Sequence, residues 1–186
     1  PSLLSTLQKL DFITPTEIQA KALPALLRGE SVVGVAETGS GKTLAYALPA
    51  LHKVKQLEDE GDAISEPGRP RAIVLVPSSG LGEQVTKVFK DFTHETRVRV
   101  RSALGGIKMA VARRNVSGPC EILLATPGRL EQLMQLKLIN LSDLRLLVLD
   151  EADQMLDAGF RPAIQRFLKS SPADLQLALF TATASE

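Results

Sequence analysis

The stretch Ala36-Glu37-Thr38-Gly39-Ser40-Gly41-Lys42-Thr43 brings together residues that could bind a polyphosphate. Glycines let backbone N–H groups curl around phosphate oxygens with no side chain in the way. A helix that starts here adds the partial positive charge of its N-terminus. Lys42 can then reach the β- and γ-phosphates, and the Thr43 hydroxyl can ligate Mg²⁺. Thr38, Gly39, Ser40 and Gly41 supply the amide cradle, and Leu44 completes the expected nucleotide-binding set. The strict P-loop pattern is missed at one place, where Ala36 stands for the first glycine.

A second cluster is acidic. Leu146-Leu147-Val148-Leu149 runs straight into Asp150-Glu151-Ala152-Asp153. A carboxylate at the C-terminal end of a buried parallel strand lies where ligands bind in open α/β sheets. Asp150 is the expected water-mediated Mg²⁺ partner, and Glu151 can orient and polarise an attacking water. The plainer reading is a helix N-terminus enriched in acids. The phosphate loop favours the catalytic reading, because each motif predicts the other.

These residues need elements to hold them. Strands are expected at Ser31–Ala36, Ala72–Val76, Arg97–Leu104, Ile122–Ala125, Leu146–Asp150 and Leu175–Phe180. Several are near-continuous apolar runs, the pattern of strands covered on both faces. Helical stripes lie between them: Leu44, Leu48 and Leu51; Leu81, Val85, Val88, Phe89 and Phe92; Phe160, Ile164, Phe167 and Leu168. The alternation predicts an α/β fold with a doubly wound, mostly parallel sheet and helices on both faces. Residues 58–70 are acidic, then rich in Pro and Gly, and read as an exposed, flexible loop.

Composition narrows the class. At 186 residues, 44% hydrophobic and 23% charged, the chain fits one soluble domain. The 22 basic and 21 acidic residues leave a net charge of +1, which argues against bulk electrostatic binding to nucleic acid but permits a local groove. No apolar run reaches the roughly 18 residues of a membrane span, so no membrane partner is expected. Residues 1–10 carry no basic-then-apolar leader. The single cysteine, Cys120, excludes an internal disulfide; it points to a reducing, cytoplasmic setting and reads as a small, partly buried residue. His52 and His94 are isolated, so no zinc site is indicated. The start at Pro1 reads as an excised or processed chain, expected to be monomeric.

With the P-loop and Asp-Glu-Ala-Asp both present, the sequence resembles the first RecA-like domain of a DEAD-box RNA helicase. Further elements follow in the family order. Phe12-Ile13-Thr14-Pro15-Thr16-Glu17-Ile18-Gln19 looks like the Q motif, Gly105-Gly106 the paired glycines, and Thr126-Pro127-Gly128-Arg129 motif Ib. Gly159-Phe160 follows the acidic motif at the family's spacing, and Thr181-Ala182-Thr183 is similar to motif III. The resemblance implies a RecA-like P-loop domain over 1–186, with the Q-motif region in 1–28. It implies ATP and Mg²⁺ as cofactors and Lys42, Asp150 and Glu151 as catalytic residues. Gln19 and Thr14 would then contact adenine while Phe12 stacks on it; a core contact is the other reading of Phe12. RNA would bind through its sugar-phosphate backbone to Pro77, Ser78, Gly105, Gly106, Thr126, Pro127, Gly128 and Arg129. Asp153, Thr181 and Thr183 would couple nucleotide state to that groove.

Two departures stand out. The family's Pro-Thr-Arg-Glu-Leu-Ala is here Pro77-Ser78-Ser79-Gly80-Leu81-Gly82, so a cation and an acid are absent. The aromatic expected upstream of Phe12 is replaced by Ser2. The second RecA-like domain, which closes over the nucleotide and delivers arginines, is absent from these residues. The fragment alone is therefore expected to be nearly inactive, with hydrolysis and unwinding left to the two-domain protein. A DNA helicase or translocase on the same fold and a non-enzymatic RNA clamp remain alternatives. A kinase or small GTPase fits less well, because the base-reading element suits adenine.

Overall fold

Runs of valine, leucine and isoleucine without polar alternation form the strands, because a strand covered on both faces leaves no position for an exposed side chain. The computed structural model describes residues 2–64 and 66–183. Two helices, α1 (Ser2–Lys9) and α2 (Glu17–Leu27), precede β1 (Val32–Val35) and α3 (Lys42–Asp59). Then come β2 (Ala72–Leu75), α4 (Ser79–Thr96), β3 (Val100–Ala103), α5 (Met109–Val116), β4 (Ile122–Ala125) and α6 (Pro127–Gln135). The last elements are β5 (Leu146–Asp150), α7 (Ala152–Asp157), α8 (Arg161–Lys169) and β6 (Gln176–Thr181). The strands form a six-stranded sheet in the order β1-β6-β5-β2-β4-β3, and every neighbouring pair is parallel.

Register divides the sheet into two packed faces. Val148 lies opposite Val74 and Ala178, and all three bury against α3 and α4 together with Phe89, Phe92 and Leu51. Their odd-numbered neighbours Ile73, Leu75, Leu147 and Leu149 bury on the opposite face against Leu130, Leu133 and Phe167. The period of two along each strand therefore builds two cores from one sheet. The structure bears out the α/β expectation, with a sheet that is parallel throughout.

Boundaries shift for local reasons. The strand expected from Arg97 begins at Val100, because α4 continues to Thr96 and Arg97 ends it in a left-handed conformation (φ 58°). The segment 58–70 is only partly an exposed connector. Glu58 and Asp59 belong to α3, while Gly68 and Pro70 are buried. Gly68 (φ 72°) lies so close to the Leu138 carbonyl that a Cβ would approach it to 2.3 Å, and its own carbonyl accepts from Asn140 N–H at 2.8 Å. Arg71 also ties this segment to Asp62 at 2.7 Å. Ser65 lies outside the described residues. Cys120 is fully buried, and burial pushes its thiol up to about 11. Among the described residues no helix is long and apolar enough to cross a membrane.

β1 is an edge strand. Val33 and Val35 point to the face opposite α3 and remain 70% and 49% exposed. Gly34 faces the other way, where a Cβ would sit 2.7 Å from the Phe180 ring. Gly34→Ala should therefore overpack this contact and destabilise the chain by about 1–3 kcal/mol. Urea denaturation monitored by circular dichroism measures the change; an unchanged midpoint would show that Phe180 yields without cost.

Candidate functional site

Between β1 and α3 the chain turns through Gly39 (φ 83°) and Gly41 (φ 89°), values that glycine adopts without steric cost. Ser40 closes the turn: its N–H and hydroxyl both donate to the Glu37 carbonyl, at 3.2 and 2.6 Å. Gly41 caps α3, so Lys42 and Thr43 open the helix. Ladder pairing extends past β1, with Ala36 N–H donating to the Thr181 carbonyl at 3.0 Å. The loop is thus rooted in β6 before it reaches its glycines.

Gln19 locks this loop to α2. Its side-chain oxygen accepts from Thr16 N–H at 3.0 Å, and its amide nitrogen donates to the Gly41 carbonyl at 3.1 Å. One N–H and one oxygen lone pair remain for a base. Phe12, Thr14, Gln19, Gly39, Gly41, Thr43 and Leu44 line one cavity of about 860 Å³. Phe12 is 52% exposed, which favours a stacking surface over the alternative core contact. The expected adenine-reading residues and part of the expected phosphate cradle therefore share one opening.

The acidic motif ends β5. Asp150 is 3% exposed, and its Oδ2 accepts a 2.7 Å hydrogen bond from the Tyr46 hydroxyl. Its Oδ1 is buried with no partner. An unpartnered buried carboxylate oxygen together with the Thr43 hydroxyl is an oxygen donor set suited to a hard divalent cation, so these residues fit Mg²⁺. Burial, then the Asp150 charge, pushes the Tyr46 phenol well above its ordinary range and keeps it a donor. Glu151 adopts a left-handed backbone (φ 54°, ψ 51°), uncommon for a non-glycine residue and a form of strain that clusters at functional sites. Burial, then the neighbouring Asp150, raises its carboxyl, while Lys42 opposes the shift.

Asp153, Thr181 and Thr183 lie together at the end of β6. Thr183 donates from Oγ1 to Asp153 Oδ2 at 3.3 Å, and Thr181 Oγ1 donates to the Thr183 carbonyl at 2.9 Å. β6 lies between β1 and β5, so this contact stands beside both the phosphate loop and the acidic motif.

A second groove, about 430 Å³, runs along the same end of the sheet. Pro77, Ser78, Gly105, Gly106, Thr126, Gly128 and Arg129 line it. Pro127 does not: it is buried at the start of α6. Several groups expected to face RNA are engaged internally. Gly105 N–H donates to Thr126 Oγ1 at 2.9 Å. Arg129 donates from Nη2 to the Ile107 carbonyl at 2.9 Å and from Nε to Gln132 at 3.0 Å, leaving only Nη1 unpartnered. Ser78 caps α4 by accepting from Leu81 N–H at 3.3 Å. Ser79, at the departed arginine position, donates its hydroxyl to the Gly105 carbonyl and so ties α4 to the glycine turn. Sequence reasoning missed the roles of Tyr46, Ser79 and Gln132. Tyr46 falls in none of the motifs, and its partner lies 104 residues away.

Comparison with known proteins follows the same lines. The pattern of the family described as DEAD/DEAH box helicase matches residues 16–186. DEAD-box ATP-dependent RNA helicase 40 of Oryza sativa subsp. japonica is 36% identical over 183 residues, covering 98% of this chain and 22% of that protein. DEAD-box ATP-dependent RNA helicase 30 of Arabidopsis thaliana is 38% identical over 186 residues, covering 98% of this chain and 30% of that protein. A crystal structure of a hypothetical ATP-dependent RNA helicase from Sulfolobus tokodaii superposes with a TM-score of 0.85 at 31% identity, covering 100% of this chain and 51% of that one. The chain thus spans about half of the solved relative and less than a third of these two curated ones.

The glycines of the loop separate two costs. A Cβ at Gly41 would meet Gln19 Nε2 at 2.6 Å and Thr16 Oγ1 at 2.8 Å, whereas at Gly39 it meets nothing within 4 Å. Gly39→Ala should cost only the left-handed strain, about 1–2 kcal/mol. Gly41→Ala should lose more stability and also detach Gln19 from the loop. Thermal melts of the two variants decide this; equal losses would remove the assigned contact.

Proposed function

Because this chain belongs to the DEAD/DEAH box helicase family, we propose that it is the first RecA-like domain of an ATP-dependent RNA helicase. The observation that carries this reading is the convergence of Gln19, the Gly39–Thr43 loop and Asp150 at one end of a parallel sheet. ATP enters with its adenine against Phe12, Thr14 and Gln19 and its phosphates on the amides of Thr38 to Lys42. Lys42 balances the phosphate charge, and Glu151 accepts a hydrogen bond from the water aimed at the γ-phosphorus. Thr43 and Asp150 would hold Mg²⁺, which when bound offsets negative charge on the phosphate oxygens. The products are ADP and phosphate, with the water proton passing toward Glu151.

Full turnover needs a second RecA-like domain in the complete protein. An arginine delivered from such a partner is worth about 10³–10⁵ in rate for related phosphoryl transfers. RNA lies in the groove of Ser78, Gly105, Gly106 and Arg129, held through phosphates and sugars without a base code. Closure of the two domains around ATP bends one strand, and product release reopens the cleft. The contact of Asp153 with Thr183 gives the nucleotide end of β5 a route to β6 during that cycle.

Calorimetry with ADP tests the nucleotide reading on this chain: heat of binding is expected, and Lys42→Ala should abolish it. In the two-domain protein, Glu151→Gln should retain nucleotide and lose RNA-stimulated hydrolysis. Absence of ADP binding, or full turnover by Glu151→Gln, would contradict the assignment. The groove makes a separate prediction. Ser79 and Gly80 replace a cation and an acid, and Gly80 has open space around a Cβ. Ser79→Arg with Gly80→Glu should therefore fold and bind single-stranded RNA more tightly, about threefold to tenfold for one added phosphate contact. Fluorescence anisotropy at fixed salt measures the gain; unchanged affinity would mean that the loop's amides suffice.

A further inference from the structure

We propose that Tyr46 is a positioning residue for the cation site, its phenol holding one oxygen of Asp150 so that the other is left for the metal. The proposal rests on the nucleotide reading above and extends it to a side chain outside the motifs.

Three observations carry it. The Tyr46 hydroxyl donates to Asp150 Oδ2 at 2.7 Å inside the protein, where the competing donor, water, is excluded. Asp150 Oδ1 has no protein partner although it is equally buried. A carboxylate held for fold alone would leave this oxygen at a desolvation cost with nothing to offset it. The arrangement makes chemical sense once a cation, or its bound water, faces Oδ1. Third, Thr43 lies about one helical turn before Tyr46 on the same helix, α3. Tyr46 thus links the helix that carries Thr43 to Asp150 at the end of β5.

The ring and the hydroxyl have separable duties. The ring packs against Phe180 with centroids 5.4 Å apart and planes tilted by 55°. Phenylalanine would keep that packing. It would also remove the donor, leaving Asp150 free to rotate and both its oxygens without a protein partner. A phenol suits the task better than a cationic donor such as lysine or arginine, because a hydroxyl donates one hydrogen bond without adding a positive charge beside the metal.

The test uses this chain, titrated with ADP in Mg²⁺ and in EDTA. Tyr46→Phe should bind ADP in EDTA as the parent does, while the gain in affinity on adding Mg²⁺ falls about tenfold, the scale of a hydrogen bond to a charged group. In an Asp150→Asn background the same substitution should leave the Mg²⁺-dependent gain unaltered. Equal Mg²⁺ gains in parent and Tyr46→Phe would overturn the proposal, as would an equal loss in EDTA, which would mark a role in the fold alone. A second readout needs no folded variant. Tyr46 is the only tyrosine, so incorporated 3-fluorotyrosine gives one ¹⁹F resonance. That resonance should differ between ADP with Mg²⁺ and ADP with EDTA; identical spectra would refute the role. If the parent binds ADP in neither buffer, the nucleotide reading fails and this inference falls with it. If the parent binds and only the Mg²⁺ response is indifferent to Tyr46, the nucleotide reading stands.

Discussion

The common direction of the strands is the constraint from which the site follows. Every neighbouring pair in the sheet is parallel, so the C-terminal ends of β1, β2, β3, β4, β5 and β6 lie on one edge. The phosphate loop, Ser78, Gly105, Thr126, Asp150 and Thr181 each follow or end one of those strands. Residues spread over more than half of the chain therefore meet without any long loop having to reach across the molecule. Helix N-termini arrive at the same edge, with Lys42, Ser79 and Pro127 at or near the first turns of their helices. Exposed amides and partial positive charge are concentrated where anions bind.

Hydrogen bonds then convert proximity into a connected unit. Ala36 ties the loop's entry to Thr181, and Gln19 ties its exit to α2. Tyr46 joins α3 to β5, and Thr183 joins β6 to the acidic motif. The second groove is stitched in the same way, by Ser79 and Thr126 to Gly105 and by Arg129 to Ile107. β6 and β5 lie between β1, which leads into the phosphate loop, and the strands β2, β4 and β3 whose ends border the second groove.

Much of this was legible before any coordinates. Continuous apolar runs marked the strands because burial on both faces forbids alternation, and β4 and β5 fell where they were expected. Lys42, Thr43 and Asp150 were legible because phosphate and metal chemistry restrict both residue type and spacing. The misses share a cause: they depend on partners distant in sequence or on backbone states that residue type does not announce. Arginine at position 97 gives no sign of a left-handed helix end. Gly68 and Pro70 looked like exposed connector residues until the 138–140 segment closed over Gly68. The amide of Gly105 looked free for phosphate, yet a threonine 21 residues later accepts from it. Tyr46 belongs to no motif, and only the fold brings its hydroxyl to Asp150.

The outer margin of β1 has a consequence for the root of the phosphate cradle. Among the described residues this strand pairs on one side only, and it presents Val33 and Val35 to water. Such a margin is an open seam that welcomes another extended segment. A chain that paired with it would extend the sheet by one strand and hold the very strand from which the glycine turn springs.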